Sequence, residues 1–175
     1  GVFTKSDPSV ETPDLQYHVQ PLSLTKFGEP LDPFPAFTAS VCNVRPLSRG
    51  HVRIASADAN AKPLIAPNYL STDEDRAIAA QAIRKTREIV AQPALAKFKP
   101  EEFRPGPGFQ SEEELIRAAG DVGTTIFHPV GTAKMGIETD PMAVVDAECK
   151  VYGLDGLRVV DASVMPTITS GNTNS

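Results

Sequence analysis

"FTASVCNVRPLSRGHVRIAS", Phe37 to Ser56, decides how the chain is read as a fold. "FTASVCNVRPL" has the apolar and β-branched content of a strand, "SRG" is turn material, and "HVRIAS" is another strand. Strand, tight turn and strand make a hairpin signal, and hairpin partners run antiparallel. Upstream, "DLQYHVQPLSL" (Asp14 to Leu24) alternates Leu15, Tyr17 and Val19 with Gln16, His18 and Gln20, which is the period of a half-buried strand. Gly28, Pro30, Pro33 and Pro35 make the stretch between these strands a loop.

Downstream, "ADANAKPLIAPNYL" reads as irregular or short strand, and helix follows. Ser71 and Glu74 form the capping-box pattern S-x-x-E in "STDED". Ile78, Ala79, Ala82, Ile83, Thr86, Ile89 and Val90 then recur on one helical face, and the helix should end before Pro93. "PALAKF" adds a short helical turn. Pro100, Pro105 and Pro107 demand loop, and Ser111 with Glu114 makes a second capping box ahead of "ELIRAAG", with Gly120 as the stop. "LRVVDASVMP" holds a short apolar strand, Leu157 to Val160, that runs into a loop at Asp161. The fold class is therefore α+β, an antiparallel sheet backed by helices. Composition shifts near residue 120, from hairpins and amphipathic helices to glycine-rich loops around short apolar runs.

Bulk properties exclude several functions. A net charge of -5, a pI near 5.2 and no Lys/Arg cluster longer than a pair exclude a phosphate-backbone binder. No apolar run approaches the ~20 residues of a membrane helix, and "GVFTKSDPS" is not a signal peptide. Two cysteines, Cys42 and Cys149, fit free, partly buried thiols in a reducing, cytoplasmic compartment. Gly1 at the start and the turn-like "SGNTNS" at the end are expected to continue into more chain.

His18, His51 and His128 share no ligand spacing, and neither cysteine has a near partner, so no metal site is expected. There is no G-x-S-x-G elbow and no G-x-G-x-x-G or G-x-x-x-x-G-K-[ST] phosphate fingerprint. "RPGPGF" has glycines but carries two prolines and follows no strand. "TTIFHPVGTAKMG" (Thr124 to Gly136) stands out. Pro129 biases His128 towards extended backbone, and Gly131 and Gly136 permit close backbone approach. An imidazole titrates near 6.5 when unperturbed, so His128 reads either as a base or as a structural histidine at a turn. "VVDASVMPTITSGNTNS" (Val159 to Ser175) delivers Asp161 from an apolar run into a small-residue loop. It reads either as an Asx-turn or as a presentation of backbone N–H groups to a phosphate or ribityl chain.

In this order, "PDLQYHVQPLSL", "SRGHVRIASAD", "APNYLSTDEDRAIAAQAIRKTREI", "FHPVGTAKMG", "DPMAVVDAECKVYGLDGLRVVDASVMP" and "SGNTNS" resemble the C-terminal part of the glucose–methanol–choline (GMC) family of FAD-dependent oxidoreductases. The likeness covers nearly the whole chain, and the G-N-T-N tail is similar to that of the bacterial alcohol and choline dehydrogenase type. The resemblance implies that a Rossmann-type FAD domain precedes this region and a helix follows it. Residues 1–120 would belong to the substrate-binding domain, and 121–175 would be the C-terminal segment of the FAD-binding domain.

It also implies roles for individual residues. His128 matches the family's histidine at the flavin face and would be the catalytic base. Asn172 matches the second active-site position, which the family fills with His or Asn. A carboxamide cannot act as a base but can hydrogen-bond and orient the substrate oxygen. Asp161 and Ala162 match the loop against the FAD pyrophosphate and ribityl chain, while His128, Pro129, Asn172 and Thr173 match positions near the isoalloxazine. The implied reaction is oxidation of a primary alcohol to an aldehyde by hydride transfer to flavin. A binding module without FAD and a GMC-type lyase are the alternatives. With no Trp and three Tyr, the chain shows no aromatic cage for a quaternary ammonium, which favours a plain aliphatic or aromatic alcohol over choline. An apolar face where the FAD domain would sit predicts a homodimer or aggregation.

Overall fold

In the computed structural model, residues 1–26 and 28–173 are described. The chain divides into two units, Gly1–Val44 with Thr72–Thr124, and Arg45–Ser71 with Thr125–Ser175. Stretch 45–71 thus groups with the C-terminal third rather than with its sequence neighbours.

The first unit pairs a three-stranded antiparallel sheet with helices. Strands β1 (Val2–Thr4), β2 (Leu15–Gln20) and β3 (Thr38–Asn43) lie in that order. β2 is central, with Val2 opposite Tyr17 and Leu15 opposite Asn43. Helix α1 (Asp73–Val90) supplies Ala80 and Ala82 to the core, and α3 (Glu112–Val122) supplies Leu115 and Ala118; a one-turn helix, α2 (Pro93–Ala96), lies between them. Tyr17 ties sheet to helix, its hydroxyl lying 3.0 Å from Thr86 Oγ1 and 3.4 Å from the Ala82 carbonyl.

Several local expectations change. The alternation of β2 is broken: Leu15, Gln16 and Tyr17 are all buried, and Val19 is 60% exposed. Strict alternation describes a strand with one wet face. Here the first half of the central strand is enclosed, and Gln16 meets its polar need partly at His18 Nε2, 2.8 Å away. The cap of α1 sits one residue later than Ser71. Thr72 Oγ1 accepts from Asp75 N–H at 3.2 Å, while the Ser71 N–H donates to Ser48 Oγ at 2.9 Å. Either hydroxyl residue can cap a helix, and the chain enters the helical turn one residue later than the pattern suggests. The second capping box forms as expected, with Glu114 N–H on Ser111 Oγ and Ser111 N–H on Glu114 Oε2. Gly120 is not the stop. The helix continues to Val122 and is capped by Gly123, where a Cβ would lie 2.5 Å from the Ala119 carbonyl oxygen.

The hairpin expected from Phe37 to Ser56 does not form. β3 pairs with β2 in the first unit, whereas β4 (His51–Arg53) pairs antiparallel with β5 (Leu64–Ala66) in the second. Pro46 has no N–H for a ladder, and Gly50 serves the other pairing. A Cβ on Gly50 would stand 2.1 Å from the Ala66 carbonyl oxygen. The antiparallel α+β class survives with different partners.

The second unit is built from loops around fully buried Val145, which bridges in parallel to Met135 and antiparallel to Val151. Leu157 to Val160 is not a strand. Only Arg158 makes a bridge, to Lys150, and Val160 is 75% exposed. No second partner strand flanks this run among the described residues, so its apolar side chains find no sheet to join. A 3₁₀ turn, Ala162–Val164, follows. No helix among the described residues is long and apolar enough to cross a membrane.

Candidate active site

All the singled-out site residues lie in the second unit. The His128 loop and the Asp161 turn are laced together by backbone hydrogen bonds, Ala133 N–H to Ser163 C=O at 3.0 Å and Met135 N–H to Val164 C=O at 2.8 Å. Gly131 makes the crossing possible. Its φ is +85°, a region that disfavours side chains, and a Cβ there would lie 3.3 Å from the Met165 carbonyl oxygen. The far end of the loop is pinned by Lys134, whose ammonium lies 2.5 Å from Asp140 Oδ2. That ammonium and the Met142 N–H hold the Asp140 carboxyl below its ordinary range. The Tyr152 hydroxyl donates to the Gly136 carbonyl at 2.9 Å.

Phe127 immediately precedes the histidine and has φ of +65°. A bulky residue is rarely found there, and such backbone strain concentrates where surrounding structure over-determines a functional geometry. The Phe127 N–H donates to Thr125 Oγ1 at 3.0 Å, and its ring is 65% exposed. The half-buried His128 ring follows directly in the chain and meets the C-terminal tail.

There His128 meets both residues that the resemblance singled out. Asn172 Nδ2 lies 3.1 Å from His128 Nε2, and Thr173 Oγ1 lies 2.9 Å from Nδ1. The Thr173 N–H reaches the same Nδ1 at 3.4 Å. A residue separation of 44 is thereby closed into a constellation with an imidazole, a carboxamide and a hydroxyl. Asn174 and Ser175 of the quoted tail lie outside the described residues.

Asp161 is engaged differently from a direct phosphate contact. Its carboxylate accepts the Ser163 N–H at 2.8 Å and the Ser163 hydroxyl, which together hold the carboxyl below its ordinary range. A fixed anion repels a phosphate. The role open to Asp161 is to cap the 3₁₀ turn, and among the described residues the Ala162 N–H meets no protein acceptor. Of the two open readings, the geometry carries the Asx-type turn.

Sequence reasoning missed Ser163 as the partner of Asp161, the backbone strain at Phe127 and the grip of Thr173 on His128. The D-x-S spacing is a recognisable Asx-turn signal. Nothing local marks the other two, because both depend on where the tail folds back. No group of three or more His, Cys, Asp and Glu is placed to hold a metal among the described residues. Cys42 and Cys149 are free and half-buried, and burial pushes the Cys42 thiol up. A separate open concavity in the first unit, about 310 Å³ and lined by Leu22, Leu31, Asp32 and Phe34 among others, contains none of the site residues.

A family model described as GMC oxidoreductase matches residues 46–175. Oxygen-dependent choline dehydrogenase 1 of Chromohalobacter salexigens is 42% identical over 173 residues, covering 99% of this chain and 31% of that protein. The oxygen-dependent choline dehydrogenase of Klebsiella pneumoniae is 45% identical over 175 residues, covering 100% and 31%. Among solved structures, pyridoxine 4-oxidase from Mesorbium loti matches with a TM-score of 0.84 at 30% identity, over 97% of this chain and 33% of that one. Formate oxidase of Aspergillus oryzae matches with a TM-score of 0.75 at 27% identity, over 91% and 28%. The chain spans about a third of the length of these relatives. The match over three quarters of the sequence and the relatives along its whole length agree: this chain belongs to the GMC oxidoreductase family.

Proposed function

We propose that the chain is the C-terminal part of an FAD-dependent oxidoreductase that oxidises a primary alcohol to an aldehyde. The observation that carries this reading is the meeting of His128 Nε2 with Asn172 Nδ2 at 3.1 Å. Alcohol oxidation needs one group to take the hydroxyl proton and another to hold the oxygen, and an imidazole beside a carboxamide supplies that pair.

When bound, FAD supplies the acceptor for the hydride. The residues fit its neighbourhood chemically. Ala162 offers a free backbone N–H, and the Asp161 carboxylate is turned onto Ser163 rather than onto a phosphate. His128, Pro129, Asn172 and Thr173 would face the isoalloxazine. His128 takes the hydroxyl proton at Nε2, Asn172 donates to the substrate oxygen, and Phe127 and Thr173 keep the ring aimed at both. In this reading residues 1–120 form part of a substrate-binding domain. Residues 121–175 complete a Rossmann-type FAD domain whose remainder lies in the longer protein, and the exposed run from Leu157 to Val160 joins that domain's sheet. The substrate class is a small alcohol. The named relatives are dehydrogenases of choline and oxidases of pyridoxine and of formate, and the two alcohols among these head the test set. A cytoplasmic location and a homodimer belong to the same proposal.

The test is the visible spectrum of the whole purified protein, followed by anaerobic addition of primary alcohols. A flavin band that bleaches with alcohol, and does so far more slowly in His128→Ala, supports the reading. A protein with no flavin band, or one whose flavin no primary alcohol reduces, defeats it.

A further inference from the structure

The Nδ1 side of His128 is contested by two groups of one residue. The Thr173 backbone N–H, 3.4 Å away, can only donate, so it favours a lone pair on Nδ1 and a proton on Nε2. The Thr173 hydroxyl, closer at 2.9 Å, can accept, so it permits a proton on Nδ1 and a lone pair on Nε2. Only the second tautomer leaves Nε2 able to take a proton beside Asn172. It also suits the Asn172 amide, which at 3.1 Å donates to that lone pair. The hydroxyl is the group of the two that a side-chain change can remove while the backbone N–H stays.

We propose that the Thr173 hydroxyl is a positioning residue that selects the tautomer of His128, accepting the proton of Nδ1 so that Nε2 is presented as the base. Its consequence for turnover rests on the alcohol-oxidation reading, but the tautomer itself does not. During reaction the substrate O–H proton passes to Nε2, giving an imidazolium whose Nδ1–H is still held by Thr173. FAD, when bound, would accept the hydride from the carbinol carbon, so charge and electrons balance. In Thr173→Val the hydroxyl is gone but the backbone N–H stays. The Asn172 carboxamide then turns its oxygen to Nε2, and the neutral ring settles with its proton there, where it cannot act as a base.

The test is nitrogen NMR of the whole purified protein labelled with ¹⁵N-histidine, at a pH where the ring is neutral, with the His128 signals assigned through His128→Gln. The unmodified protein should show the proton-bearing signal at Nδ1. Thr173→Val should move it to Nε2, and Thr173→Ser should restore it. The matching kinetic result is a kcat for Thr173→Val lowered by about tenfold or more with KM held within about twofold, because a base contributes mainly to the chemical step. A proton already on Nε2 in the unmodified protein, or unchanged shifts in Thr173→Val, overturns the proposal without any variant having to be active. A tautomer that flips while kcat stays constant would keep Thr173 as the selector and would instead remove His128 from the role of base.

Discussion

Replacing Arg87 offers the sharpest check on what holds the first unit together. The guanidinium of Arg87, on the last turn of α1, makes a two-point ion pair with Glu102, Nε to Oε2 at 2.8 Å and Nη2 to Oε1 at 2.9 Å. It also donates to the carbonyls of Phe109 at 2.9 Å and Gly106 at 3.2 Å. Glu102 in turn accepts the Gly106 N–H at 3.2 Å. One side chain thus fastens a proline-rich, irregular stretch to a helix, and both ionic partners are only 24% exposed. Each hydrogen bond to a charged group is worth about 1.5–3 kcal/mol, but summing four of them would overstate the loss, because water reaches the vacated groups. Breaking a fully buried pair costs about 3–5 kcal/mol. The residual exposure reduces this to about 2–3 kcal/mol for Arg87→Ala. Arg87→Lys keeps the charge but loses the fork, and should cost about 1–2 kcal/mol. The assay is urea denaturation of the single variants and of Arg87→Ala combined with Glu102→Ala. A loss below about 0.5 kcal/mol for Arg87→Ala, or no coupling in the double-mutant cycle, would show that the loop is held by other contacts.

Other expectations are equally specific. Leu115 is fully buried on α3, so Leu115→Ala should lower stability by about 2–5 kcal/mol in the same assay. Ser111→Ala removes one half of the capping box and should cost about 1 kcal/mol, with Ser111→Asp close to neutral. Gly50→Ala forces a Cβ into the Ala66 carbonyl and should separate β4 from β5, read as faster amide exchange at Val52 and Ile65. Burial pushes the Tyr17 phenol up, with the Thr86 hydrogen bond opposing in part. The folded pKa therefore exceeds the unfolded one. The stability that this contributes is complete below about pH 10 and is lost as pH rises from there through the folded pKa. Tyr17→Phe should remove that alkaline slope, and an unchanged slope would place its origin elsewhere.

The antiparallel expectation rests on a hairpin that does not form, whereas helices α1 to α3 and the Ser111 capping box follow from local chemistry. They depend on residues within a turn of one another, where period, cap and proline carry the information. His128, Asn172 and Asp161 were singled out by motif, and nothing local says that His128 and Asn172 touch. What only the tertiary structure decided is which strand pairs with which and which atoms meet. Phe37 to Ser56 has the pattern of a hairpin, but its two strands pair with β2 and β5: β3 lies beside the partly enclosed β2, and the exposed β4 and β5 meet through the close approach that Gly50 permits. Thr72 and not Ser71 caps α1, and the Ser71 N–H, which a capping box would offer to Glu74, is instead bonded to Ser48. The grip of Thr173 on His128 spans a separation of 45 residues. Short-range propensities are energies of adjacent residues and can be read in order along the chain. Long-range contacts are chosen by competition among all the surfaces that could be buried together, and that competition is resolved only in the folded molecule.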